Sequence, residues 1–255
     1  MSQTLQTTFK RIETKYIIEK ENLATLMADL KHYLTEDDHP TSTITNIYFD
    51  TENFDVIKDA LAGRNLREKI RMRSYLSHPT SDSQAFLEVK QKDAQGVGHK
   101  FRIISTPAAI TNLLTTGTIC SNLKNSDYVN DILTLRKRYD ELIPRIFISY
   151  DRFSLKQKKD IEDKVRITFD QNLCYRDYQV TNYQSKESEP LMPDNQLIME
   201  IKAAEDKPAW LQEILDKHKL TQIKFSKYTA AYHKSQNIPY SPRPALVKER
   251  GLAHA

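Results

Sequence analysis

The residues of this chain that could do chemistry are mostly cations, and they recur at every second position. Lys69, Arg71 and Arg73 alternate with Ile70 and Met72, Glu88, Lys90 and Lys92 with Leu87 and Val89, and Lys100 and Arg102 with Phe101 and Ile103. The pattern returns in Glu162, Lys164 and Arg166 against Val165, Ile167 and Phe169, and in Glu200 and Lys202 against Met199 and Ile201. Near the start, Arg11, Glu13 and Lys15 repeat it. Period-two alternation marks a strand with one apolar and one polar face, and it spaces side chains on one face about 6.5 Å apart.

On any single strand, a polar face turned to solvent is the ordinary explanation. Its recurrence strand after strand weakens that explanation, because a merely wet face has no reason to prefer Lys and Arg over Ser, Thr or Gln. The other geometry is a sheet curled into a barrel with a polar interior and an apolar exterior covered by helices. Facing cations would then repel by on the order of 2 kcal/mol per close pair at an effective dielectric of about 20. Such an arrangement persists where a polyanion occupies the centre. The pattern therefore implies a tunnel that takes a chain of phosphates.

Elements to build and cover such a sheet are legible. Strands are expected at Phe9–Ile18, Ile44–Asp50, Leu66–Leu76, Ala85–Lys92, Lys100–Ile104, Arg145–Arg152, Glu162–Asp170 and Leu197–Lys202. An amphipathic helix with Leu23, Leu26, Met27, Leu30 and Tyr33 on one stripe should end at Glu36-Asp37-Asp38-His39-Pro40. Further helices are expected at Phe54–Leu61, Pro107–Leu114, Tyr128–Tyr139, Trp210–His218 and Phe225–Gln236, with a turn at Gly96-Val97-Gly98 and a loop over Tyr183–Asn195. No compositional break forces two domains, so residues 1–237 read as one unit. The tail 238–255, with Pro239, Pro242 and Pro244, carries no core pattern and is either loose or ordered by contact.

Composition narrows the chemistry. The 38 Lys and Arg against 34 Asp and Glu leave a formal charge of only +4, so a polyanion must be met by locally gathered cations. Acidic runs such as Glu36-Asp37-Asp38 mask that gathering. Cys120 and Cys174 are too few for a disulfide framework or a thiolate metal site. The chain has no G-x-x-x-x-G-K-[ST] loop, no H-E-x-x-H and no G-x-S-x-G nucleophile elbow. Nucleic acid is disfavoured, since strand aromatics such as Phe101 and Phe169 lie opposite the charges rather than among them, where bases would stack. Neither a secretory leader nor an 18-residue apolar run is visible, so a cytoplasmic protein without a membrane segment is expected.

In order along residues 9–235, the sequence resembles the VTC (vacuolar transporter chaperone) catalytic domain, a polyphosphate polymerase of the triphosphate tunnel metalloenzyme superfamily. The segments that carry the likeness are Glu13-Thr14-Lys15-Tyr16, Ile47-Tyr48-Phe49-Asp50, Ile70-Arg71-Met72-Arg73, Phe86-Leu87-Glu88-Val89-Lys90, Tyr150-Asp151-Arg152, Val165-Arg166-Ile167, Met199-Glu200-Ile201-Lys202 and Lys224-Phe225-Ser226-Lys227. The resemblance implies an α+β fold, an antiparallel eight-stranded tunnel-like β-barrel with a charged interior covered by helices. It implies phosphate-chain ligands at Lys15, Arg71, Arg73, Lys90, Lys100, Arg152, Arg166 and Lys202. Mg²⁺ or Mn²⁺ would sit on Glu200, with Glu88 as a second candidate, and Lys224 and Lys227, sharing a helix face, would flank the transferred phosphoryl group.

The expected partners are ATP or another triphosphate, polyphosphate and orthophosphate. Hydrolases of the superfamily carry E-x-E-x-K on the first strand, whereas this chain has Arg11-Ile12-Glu13-Thr14-Lys15. That exchange leans towards the polymerase branch. Because Glu13 is kept, a tripolyphosphatase is the alternative, and a non-catalytic module binding polyphosphate or nucleic acid is a third.

Overall fold

The computed structural model describes residues 12–245, apart from 93–96, 122, 124–126, 163, 182–184, 186 and 205. Arg11, Gly96 and the tail beyond residue 245 therefore lie outside the described residues, as does the start of the first strand.

Among the described residues, an antiparallel sheet of eleven strands organises the chain, in the order β11-β10-β1-β9-β7-β6-β2-β3-β4-β5, with short β10 (Ile223–Lys224) and β11 (Arg243–Pro244) at one end and the short β8 (Glu189–Pro190) paired to β7. The long strands are β1 (Ile12–Glu19), β2 (Leu34–Asp50), β3 (Arg67–Ser74), β4 (Ala85–Lys92), β5 (Gly98–Ser105), β6 (Ile143–Gln157), β7 (Arg166–Arg176) and β9 (Gln196–Ala203). The fold is α+β, as the resemblance implied. Among the described residues no strand pairing joins β5 to β10 or β11, and the sheet is not closed into an eight-stranded barrel. It curls instead, and Lys90 on β4 reaches the electrostatic neighbourhood of Glu13 on β1 and Glu200 on β9.

Two helix pairs cover the convex face, and the short α2 (Asp55–Leu61) buries Val56 with the first of them. Helices α3 (Pro107–Thr116) and α4 (Val129–Tyr139) bury Ile110, Leu113, Ile132 and Leu135 against Ile47, Ile70, Met72, Leu87 and Val89. On the other half, α1 (Leu23–Leu30) and α5 (Ala209–Lys217) bury Leu26, Leu30, Leu211 and Leu215 against Tyr16, Ile167, Phe169, Met199 and Ile201. Each such side chain contributes about 1.5–3 kcal/mol by leaving water, which is what commits the cation-bearing faces to the concave side. Thr106 caps α3 by accepting from the Ala109 N–H, Pro107 fills the first turn, and Gly117 ends the helix at φ +76°.

One helix breaks the expectation that all helices lie outside. The last, α6 (Lys227–Ser235), packs Tyr228, Ala231 and Tyr232 on Ile44, Tyr48, Ile146, Ile148 and Ile198, which alternate with the convex-face residues and so belong to the concave face. It fills part of the interior and leaves the rest to charged side chains. The last expected helix thus starts two residues later than Phe225, at Lys227.

The acidic run Glu36–Pro40 does not stop a helix. The α1 helix has already ended at Leu30, and the run is strand, since β2 pairs with β6 from Leu34 onward with a register shift between Glu36 and Thr41. Pairing of Glu36 with Leu155 and of Thr41 with Phe153 holds the run extended, while its polar, proline-containing middle, 37–40, falls in the register break and keeps its side chains at or near the surface. The strand expected from Glu162 begins at Arg166. The described part of the tail is ordered by contact: Tyr240 meets Phe225 and His233, and β11 (Arg243–Pro244) pairs with β10 (Ile223–Lys224).

Candidate functional site: an ion-lined cavity

The concave face encloses a cavity of about 320 Å³ whose lining includes nine cations and three carboxylates. Strand β3 contributes Lys69, Arg71 and Arg73, β4 Glu88 and Lys90, and β5 Lys100. From the other side come Glu13 and Lys15 of β1, Glu200 and Lys202 of β9, Arg152 of β6 and Lys227 of α6. Tyr48, Tyr150, Phe225 and Ser226 complete the wall. Cross-strand register explains the gathering: Arg71 lies opposite Glu88, Lys69 opposite Lys90, Lys90 opposite Lys100, and Lys15 opposite Glu200. Side chains opposite one another share a face.

Two ionic clusters divide the wall. In the first, Glu88 is wholly buried and is the common acceptor: Arg71 donates to Oε2 from Nε at 2.8 Å and Nη2 at 2.6 Å, and Lys100 Nζ lies 2.9 Å from Oε1. Arg102 donates its Nε to the same Oε1 at 3.0 Å, and Arg73 lies 3.8 Å from Oε2. Burial would push the Glu88 carboxyl up, but Arg71, Arg73 and Lys100 hold it far below the usual carboxylate range. Both Glu88 oxygens are thus engaged by cations, and this second metal candidate stands among the arginines rather than beside Glu200. Tyrosines orient the guanidinium groups further. Arg71 donates to the Tyr48 hydroxyl at 3.3 Å and Arg73 to that of Tyr150 at 3.2 Å.

The second cluster is lysine-rich. Lys15 Nζ sits 2.7 Å from Glu13 and 3.8 Å from Glu200, and Lys202 Nζ sits 2.9 Å from Glu200. Despite burial, Lys202 and Lys15 hold Glu200 well below its ordinary value. Glu13 is also lowered: burial and Glu200 oppose ionisation, while Lys15 and Lys90 favour it. Behind them, buried Asp170 accepts both Arg152 Nε at 2.6 Å and Nη2 at 2.8 Å, and Lys227 Nζ at 2.6 Å. Lys90 is pulled down to about 8, by burial first and then by Arg71 and Lys202, against the pull of Glu13. Burial, with Lys15 and Arg71, also lowers Lys69.

Of the sequence-derived site residues, the cavity brings together Lys15, Arg71, Arg73, Lys90, Lys100, Arg152, Lys202, Lys227, Glu88 and Glu200. It does not bring in Arg166, which lies on the inner face one step beyond, opposite Lys202, and pairs with Asp37 at 2.8 Å. Nor does it bring in Lys224. That residue is exposed in β10 opposite Arg243 rather than on a helix face with Lys227, because α6 begins only at Lys227.

Sequence reasoning left out several residues that the site uses. Lys69, which donates to Ser226 Oγ at 2.9 Å, was visible on the Arg71 face. Tyr48, Tyr150 and Asp170 keep period-two step with inward residues, but nothing local ties them to Arg71, Arg73, Arg152 or Lys227.

A divalent ion needs oxygen ligands, and among the described residues no group of three or more His, Cys, Asp or Glu is assembled to hold one. Glu13 and Glu200, on neighbouring strands and both held ionised, supply two carboxylates on one face. That fits a Mg²⁺-like ion, which commonly takes one or two carboxylates and completes its shell with phosphate oxygens and water.

A curled antiparallel sheet with helices outside and cations within is the architecture of the triphosphate tunnel fold. A candidate adenylate cyclase from Bacillus halodurans shares it, with a TM-score of 0.51 and 16% identity over 85% of this chain and 93% of that one. Weaker likenesses are to a candidate adenylate cyclase from Vibrio parahaemolyticus (TM-score 0.44, 10% identity, 88% and 98% covered) and to an adenylyl cyclase-like protein from Hippeastrum described as having a dominant triphosphatase activity (0.41, 16%, 94% and 92%). A comparison with curated proteins finds no match. Residues 10–236 match the VTC domain, and the chain belongs to that family, as its sequence motifs implied. No helix among the described residues is long and apolar enough to cross a membrane.

Proposed function

We propose that this protein is a polyphosphate polymerase that transfers the γ-phosphoryl group of ATP to the end of a phosphate chain or to orthophosphate. The observation that carries the reading is the convergence of nine cations and only three carboxylates on one cavity. An assembly so unbalanced is matched by a ligand with one negative charge or more per phosphate.

Phosphoryl transfer asks for positioning and charge neutralisation more than covalent help. A terminal phosphate oxygen of the acceptor attacks the γ-phosphorus, the bond from that phosphorus to the β–γ bridging oxygen breaks, and ADP leaves with the electron pair. The attacking oxygen is already anionic, so no side chain has to remove a proton. Arg71, Arg73 and Arg152 grip non-bridging oxygens, their forks oriented by Glu88, the two tyrosines and Asp170. Lys15, Lys90, Lys100 and Lys202 neutralise the rest of the chain, and Lys227, steered by Asp170, meets the charge that spreads over the moving phosphoryl group. Mg²⁺ or Mn²⁺ held by Glu200 and Glu13 would neutralise phosphate oxygens as a Lewis acid when bound.

The retention of Glu13 beside Glu200 supports a second reading, hydrolysis of inorganic tripolyphosphate by the same site. Incubating pure protein with ATP and Mn²⁺ separates them. ADP together with a phosphate polymer is expected; orthophosphate as the main product indicates the hydrolase, and ADP without polymer refutes the polymerase. In a non-catalytic module, Glu200→Gln would leave ligand affinity intact with no turnover to lose.

A further inference from the structure

The concave faces of β3, β4 and β5 do not end where the cations end. Tyr75 sits in the bend just past the end of β3, against Arg73 and Phe86; Phe86 precedes Glu88 on the same face, and Ile104 follows Arg102. Phe86 lies opposite Ile104 and Arg73 in register. Tyr75 packs its ring edge-on to Phe86 with centroids 5.5 Å apart, and Arg73 lies 5.9 Å from the Tyr75 centroid. Tyr75 is 42% exposed and Ile104 58% exposed. Arg102 already lies over Phe86, 4.9 Å from its centroid, and donates to Glu88 at the cavity wall. An aromatic and apolar ledge thus adjoins the arginine-rich cluster, at the end away from Glu13 and Glu200.

We infer that Tyr75, with Phe86 and Ile104 beside it, is the platform on which the base of the nucleoside triphosphate stacks. This deepens the proposed use of ATP and rests on it. A polyphosphate chain has no use for an exposed tyrosine ring, whereas a nucleobase presents a flat face that any aromatic ring accepts without hydrogen-bond readout. The placement also orients the nucleotide. With the base on Tyr75, successive inward residues Arg73, Arg71 and Lys69, about 6.6 Å apart along the strand, meet the phosphates in turn. The γ-phosphate is then the one turned towards Glu200 and Lys227.

Calorimetric titration of ATP and, separately, of inorganic tripolyphosphate into wild type and the Tyr75→Ala, Ile104→Ser and Tyr75→Phe variants tests this. The expected result is about a tenfold loss of ATP affinity in Tyr75→Ala, a smaller loss in Ile104→Ser and none in Tyr75→Phe, with tripolyphosphate affinity unchanged in all three. Equal losses for both ligands, or no loss for ATP, overturn the platform while leaving the phosphate cavity standing. If wild type binds tripolyphosphate but not ATP, the platform falls together with the ATP-using polymerase; if it binds neither, the phosphate-cavity reading itself fails.

Discussion

Glu88→Gln is the substitution that most directly probes why the cavity holds together without a ligand. The carboxylate is wholly buried and shared by Arg71, Lys100, Arg102 and Arg73. Glutamine keeps the shape and removes the charge, leaving four cations on adjacent strands with no common anion. Breaking a buried ion pair by removing one partner costs about 3–5 kcal/mol. Lys100 and Arg102 are half exposed and screened by water, so the lower end, about 3 kcal/mol, applies here. At about 2–4 °C per kcal/mol for a chain of this size, Tm should fall by roughly 6–12 °C.

The same cations, relieved of Glu88, should hold an anion more tightly. Saturating tripolyphosphate should therefore raise the Tm of the variant by more than that of wild type, as differential scanning calorimetry would show. The sign of the pH dependence follows from the lowered folded pKa. Stability due to Glu88 is present at neutral pH and is lost as pH falls below the ordinary glutamate value of 4.5 towards the much lower folded one. Wild type should lose this increment in acid and the variant should have none to lose. An unchanged Tm, or a ligand-induced rise no larger in the variant, would refute the counterion argument.

Three further outcomes are expected. Because Lys90 titrates near 8, about half of it is neutral at pH 8, and binding a phosphate chain should draw in about 0.5 proton from this group; calorimetry in buffers of different ionisation enthalpy measures the uptake, and none at that pH would contradict the assignment. Lys227→Met should lower phosphoryl-transfer kcat by about 10²–10³-fold while changing tripolyphosphate affinity far less, since its role is proposed for the moving group; parallel loss of both would make it only a binding residue. Arg166→Ala should weaken tripolyphosphate binding by less than fivefold, because Arg166 is spent on an exposed pair with Asp37, whereas Arg71→Ala should weaken it at least tenfold. Similar effects from the two would show that the tunnel extends to Arg166.

Much of the fold was legible because it rests on local periodicity. Strand β4 spans Ala85–Lys92 as its alternation required, and α3 and α4 begin and end within two residues of their expected limits. Polar punctuation misled where tertiary pairing took over, as at Glu36–Pro40, which β6 holds within β2 by pairing Glu36 and Thr41 on either side of a register break.

For the site, alternation alone determined which face each cation occupies, since a strand side chain has only two directions to point. What alternation cannot encode is which strands meet across the curl, or what fills the space between them. Those are matters of register and closure between segments far apart in the chain. Only the tertiary structure therefore assigned Glu88 to the arginines, put Asp170 behind Arg152 and Lys227, left Lys224 outside, and brought α6 into the concavity. The charge was written residue by residue, while its neutralisation, which decides what each cation can still do for a phosphate, exists only where distant strands come together.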